Sequence, residues 1–206
     1  MKREELVLQL EREKYTEIME RYHFSESDLP MLEMVGNYLL QEIKPEMFYE
    51  CAAMVYVVVS LGESVDKLQN RYTEEGNLLE AYMVECISME LLTQAYERTG
   101  EIIYRDTGKW LSGFDFLGEK YPLSLMEDIF EVLQPEGICF NHAYMLTPKK
   151  TVVFVSQLQK ERKNSMCYIC SQCSNYNCIN RLNESTKNVN RNMTYGYQRI
   201  FGKKER

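Results

Sequence analysis

Nine consecutive apolar residues, Cys51 to Val59, form the longest unbroken apolar run in this 206-residue chain. A membrane-spanning helix needs about 20 such residues, so the run must find its cover inside a protein core. Its second half, Val55-Tyr56-Val57-Val58-Val59, is β-branched or aromatic and stops at Ser60-Leu61-Gly62. That length and composition predict a buried strand.

The flanking sequence supplies helices. Residues 78–98 place Leu79, Met83, Cys86, Ile87 and Leu91 at helical spacing, the strongest amphipathic signal in the chain. Residues 63–74 read as a helix with Val65 and Leu68 inward, separated from the next by Gly76-Asn77. Residues 30–43 read as a helix with Leu32, Val35, Leu39 and Leu40 on one face, opened by the Ser25–Pro30 break. Pro122 opens another, with Leu125, Met126, Ile129, Phe130 and Leu133 inward. Residues 1–22 read as a charged helical arm with few apolar anchors. Strands are expected at 137–140 and 151–155, joined by a polar turn that contains His142. Residues 105–121 combine Gly108, Gly113 and Gly118 with Trp110, Phe114 and Phe116. Such a loop is either folded over the core or one wall of a ligand site. Helices and strands mix without strict alternation. The expected class is α+β: helices around a twisted, mostly antiparallel sheet, followed by a Cys-rich C-terminal segment.

Charge divides the chain. Residues 181–206 carry seven Lys/Arg and two Glu, whereas residues 1–180 carry 17 basic and 29 acidic side chains. An acidic body argues against nucleic acid as a partner. The first residues have no apolar h-region, so a cytoplasmic protein without a membrane segment is expected. The expected division is an arm at 1–24, an α+β domain at 25–166, a metal-binding segment at 167–181 and a basic tail at 182–206.

Seven cysteines fall into two sets. Cys51, Cys86 and Cys139 sit in apolar surroundings and are expected to act as small buried hydrophobes. Cys167, Cys170, Cys173 and Cys178 form Cys-x2-Cys-x2-Cys-x4-Cys, a density that in a reducing compartment favours metal over disulfides. One short run suits an iron–sulfur cluster, zinc more often joins two separated knuckles, and unligated thiols remain the third reading. No phosphate-binding glycine loop and no His-Glu-x-x-His is present, and His23 and His142 are the only histidines. His23 is expected at the surface near a helix end.

Four segments, in order, resemble the reactivation (S-adenosylmethionine-binding) domain of cobalamin-dependent methionine synthase, and more closely its stand-alone bacterial relatives. They are Val57–Glu63 with Gly76–Tyr82; Lys109-Trp110-Leu111-Ser112-Gly113-Phe114; Tyr144-Met145-Leu146-Thr147-Pro148-Lys149-Lys150-Thr151-Val152; and Cys170-x2-Cys173-x4-Cys178-x2-Arg181. Together they span residues 50–181. The resemblance implies a protein that presents S-adenosylmethionine to an inactive cobalamin on a partner, so that reduction and methyl transfer restore methylcobalamin. It is then an accessory or activation component of a cobalamin-dependent methyltransferase in methionine biosynthesis, with a corrinoid-binding protein or methionine synthase subunit as partner. Lys109, Gly113 and Phe114 would line the ligand site, with Tyr144 and Met145 beside it.

The chain departs from the family at named positions. Lys109 stands for an Arg and offers a point charge instead of a two-pronged fork. Phe114 stands for a Tyr and lacks its hydroxyl. Thr93 stands where the family's long helix carries an acid, with Glu90 one turn earlier as a substitute. A metal-binding interaction protein that keeps the fold without the nucleotide site is the competing reading.

Overall fold

The computed structural model describes residues 1–118 and 120–161. Strand β1 (Lys2–Glu5) leads to helix α1 (Arg12–Tyr22), a 3-10 turn (Glu26–Asp28) and helix α2 (Leu29–Glu42). A hairpin follows, β2 (Glu46–Cys51) and β3 (Val55–Ser60), then helices α3 (Ser64–Glu74) and α4 (Leu78–Thr107). The remainder runs β4 (Trp110–Leu111), β5 (Asp115–Phe116), α5 (Leu125–Leu133), β6 (Cys139–Phe140), β7 (Leu146–Thr147), β8 (Thr151–Ser156) and β9 (Leu158–Gln159).

The β-branched run lies in the middle of a five-stranded sheet ordered β1-β2-β3-β8-β5, with every pairing antiparallel. Two small ladders, β4–β9 and β6–β7, flank it. Side chains alternate across a strand, and here the alternation feeds two cores. Phe48, Val58, Val153 and Val155 join Met126, Ile129 and Leu133 of α5 on one face. On the other, Phe154 meets Tyr96 of α4, with ring centroids 6.3 Å apart. Fully buried Ile129 is central to the first core, and truncation to Ala there removes about 2–4 kcal/mol.

The helices expected after residue 28 are present, with changes of extent: α5 starts at Leu125, three residues after Pro122. The long helix runs about two and a half turns beyond residue 98, because Thr99 and Ile103 continue its buried stripe. It stops where Gly108 takes φ 66°, the left-handed conformation that closes helices most cheaply when no Cβ is present. The Ser25–Pro30 break is confirmed: the Ser25 N–H donates to the Asp28 carboxylate at 2.8 Å, and Pro30 occupies the first turn of α2.

The continuous helix expected over 1–22 is not formed. Residues 2–5 instead pair with β2 in register Lys2↔Tyr49 to Glu5↔Glu46, and only residues 12–22 are helical. Backbone pairing and the Arg3–Glu46 ion pair at 2.6 Å hold this charged edge strand without an apolar stripe. Gly36 of α2 admits α1: a Cβ there would lie 2.4 Å from the Tyr15 hydroxyl oxygen. His23 ends α1, exposed, with φ 61°. Cys86 is buried as expected, Cys51 is half-buried and Cys139 is exposed. The β6–β7 ladder is two residues long, and it turns Phe140 inward and Cys139 out. Among the described residues, no helix is long and apolar enough to cross a membrane.

Candidate functional site

The C-terminal end of α4 hands the chain to the first set of expected site residues. Lys109 is exposed, its backbone tied to the Thr107 hydroxyl at 3.2 Å. Trp110 stacks on Tyr104 with ring centroids 4.1 Å apart and 15° between planes. Gly113 is buried, and its carbonyl accepts the Ser156 hydroxyl at 2.6 Å. Phe114 is 5% exposed, with its ring 4.9 Å from Phe154 and 5.8 Å from Tyr96. The aromatic loop is therefore, at Phe114, part of the α4-side core.

The second set lies on the hairpin between β6 and β7. The Asn141 side-chain oxygen accepts the N–H groups of Ala143 and Met145 at 2.9 and 3.0 Å, closing the turn. Tyr144 takes φ 58° within it. The Tyr144 ring stacks on Phe140 at 5.7 Å, and its hydroxyl donates to Glu127 of α5 at 2.8 Å. That hydrogen bond to a carboxylate raises the phenol pKa above its ordinary value. Met145, two-thirds exposed, stands out from the turn.

Of these residues, Phe114 packs on the α4 side of the sheet, whereas Tyr144 packs on the α5-side cluster. β5, which Gly113 and Phe114 lead into, is the last strand in the sheet order, and there Asp115 pairs with Lys120 at 2.7 Å.

The acidic substitute on the long helix is occupied. Glu90 is 4% exposed, forms an ion pair with Arg21 of α1, and has the Lys14 ammonium 3.9 Å away. Burial raises its pKa, and the two cations oppose that rise. Thr93 is half-buried on the same helix. Sequence reasoning missed a second carboxylate site on α4: Asp106 accepts from Lys2 at 2.7 Å, Tyr49 at 2.5 Å and Arg105 at 2.9 Å. Nothing in the local sequence pairs residue 2 with residue 106. A polar groove of about 390 Å³ lies between Gln9–Glu17 and α4, lined in part by Lys14, Gln94, Glu97, Arg98 and Glu101.

Cys167, Cys170, Cys173 and Cys178 lie outside the described residues. Among the described residues, no group of three or more His, Cys, Asp or Glu side chains is placed to hold a metal ion.

No family model matches the chain, and no curated protein matches it in sequence. Among solved structures, it is similar to the crystal structure of the MetH reactivation domain bound to AdoHcy. The TM-score is 0.56 with 11% sequence identity, over 79% of this chain and 79% of that one. At that identity the likeness is one of fold, and this chain shares the fold of the MetH reactivation domain over most of its length.

Proposed function

We propose that the protein is an accessory factor of a corrinoid-dependent methyltransferase, binding S-adenosylmethionine, the corrinoid partner or both, in support of reductive remethylation. The observation that carries the reading is the fold likeness, over four-fifths of both chains, to a reactivation domain bound to AdoHcy. The ligand would lie beside the segment that leads into β5. Lys109 would supply a positive charge, the Gly113 backbone close approach, and the Phe114 region, Tyr144 and Met145 the apolar flanks. Bound S-adenosylmethionine supplies an activated methyl group; the protein's part is orientation. In the same reading Cys167, Cys170, Cys173 and Cys178 hold an iron–sulfur cluster or zinc, and a cluster would feed electrons toward the corrinoid cobalt.

Calorimetric titration with AdoHcy and with S-adenosylmethionine tests the ligand. Saturable binding weakened by Lys109→Ala and by Tyr144→Ala is the expected result. Metal and sulfide analysis of anaerobically purified wild type and Cys170→Ser/Cys173→Ser tests the cysteines separately.

A second reading is that the fold persists without the nucleotide site. The engagement of Glu90 by Arg21 and the burial of Phe114 favour it. Absence of binding by either ligand, with a corrinoid protein still captured, would select it.

A further inference from the structure

Six of the twelve large apolar side chains that stay exposed among the described residues lie on α2 and the start of α4. Met31, Met34 and Tyr38 follow i, i+3, i+7 along α2, so they form one stripe on its surface. Leu78, Leu79 and Tyr82 occupy the first turns of α4. The two helices pack against each other. Tyr82 contacts Phe24, just ahead of α2, with ring centroids 5.4 Å apart. Arg71, near the end of α3, lies over the Tyr38 ring at 5.3 Å and over Tyr72 at 5.5 Å. Singly exposed apolar residues mean little, but a contiguous apolar surface marks an interaction site.

The charge around this surface is mostly negative, with the Arg71 cation over Tyr38 as the exception. Residues 24–42 and 72–97, which carry the surface, contain ten Asp or Glu and no Lys or Arg. Glu85 and Glu90 are engaged by Lys150 and Arg21. Glu26, Glu74 and Glu75 are exposed beside the patch. Nucleic acid and anionic lipid are repelled by such a rim. Lys or Arg flanking an apolar stripe would meet it favourably. The surface is itself built of two helices whose side chains make ridges, the form into which a third helix packs. Two of its six residues are methionines, which adapt their shape to a partner.

We propose that this acidic-rimmed surface of α2 and α4 docks a basic amphipathic helix of a partner protein. The docking does not depend on the ligand reading above.

The test uses the full chain and a fluorescein-labelled 18-residue Leu/Lys peptide with Leu at helical period, at physiological salt. Two control peptides carry the same Leu pattern with Glu for Lys, and the Leu/Lys composition scrambled. Saturable anisotropy is expected for the Leu/Lys helix, with at least tenfold weaker binding for both controls. Met34→Ser/Leu78→Ser, which leaves charge unchanged, should weaken binding at least tenfold. Glu75→Gln/Glu80→Gln should weaken it and flatten its salt dependence. Circular dichroism checks that these surface variants stay folded, and Leu79→Ser alone serves if the double variant does not. Equal affinity in wild type and patch variants, or no saturable binding, overturns the proposal. So does a wild-type dimer that Met34→Ser/Leu78→Ser converts to monomer, since a second copy would then be the occupant.

Discussion

Two carboxylates of α4, Glu90 and Asp106, each take a cation from the first 22 residues, yet their surroundings move their pKa values in opposite directions. Glu90 is sealed between α4 and α1, and burial raises it despite Arg21 and Lys14. Asp106 lies at the margin of the helix end. The Lys2 ammonium, the Tyr49 hydroxyl and Arg105 hold it well below the usual carboxylate range. The same chemical pairing is thus a buried charge that must stay partnered in one place and a half-buried hydrogen-bond hub in the other. Desolvation decides between them, since a cation neighbour is common to both.

The largest break in this comparison is Arg21→Ala. Removing the partner of a buried carboxylate leaves the charge uncompensated, and the expected loss is about 2–4 kcal/mol in urea unfolding near neutral pH. The sign with pH follows from the raised native pKa. An unfolded Glu titrates near about 4.3, so between that value and the native pKa the native state holds a proton the unfolded chain has released. Stability from this group therefore falls as pH rises through the window. Without Arg21 the native pKa climbs further. The deficit of Arg21→Ala should be smallest near about pH 4 and grow toward pH 8; a deficit flat across that range would place the effect in packing of the Arg21 stem.

The contrast also explains what the amino-acid order made legible. The β-branched strand Val55–Ser60, the stripe of α4 and the inward face of α5 declare themselves by periodicity, because burial selects residues one by one along each element. Strand β1 does not, since Lys2-Arg3-Glu4-Glu5 is held by pairing with β2 and by charges from residues 46, 106 and 136. No local pattern encodes partners that distant. The aromatic loop was legible only as a pair of alternatives: glycines beside Phe114 suit a ligand wall and a core plug equally. The sheet's alternation, which puts Phe154 beneath that ring, is what separates them. Likewise Glu90 reads as an available acid until Arg21, 69 positions away, is folded against it.

Asp106→Asn sharpens the other half of the comparison. The carboxylate accepts three charged or polar donors, but its two cations are more than half exposed, so the expected loss is about 1 kcal/mol at neutral pH. Its native pKa is depressed, so its contribution is complete above the unfolded value of about 3.9 and disappears as pH falls below it. The wild-type and Asp106→Asn unfolding curves should converge in acid. That window lies on the acidic side of the one in which the Arg21→Ala deficit develops.

The smallest effect belongs to the cation at the margin. Lys2→Ala removes one donor to Asp106 and the ammonium 5.9 Å from the Tyr49 ring. Tyr49 and Arg105 still satisfy the carboxylate, and the Lys2 side chain is more than half exposed. Exposed pairs of this kind are offset by side-chain entropy and screened by salt. Its unfolding midpoint should be indistinguishable from wild type at physiological salt and fall only at low ionic strength. A loss at high salt equal to that of Asp106→Asn would mean that Lys2 anchors β1 by packing over Tyr49. The two carboxylates of α4 would then differ less than their pKa directions imply.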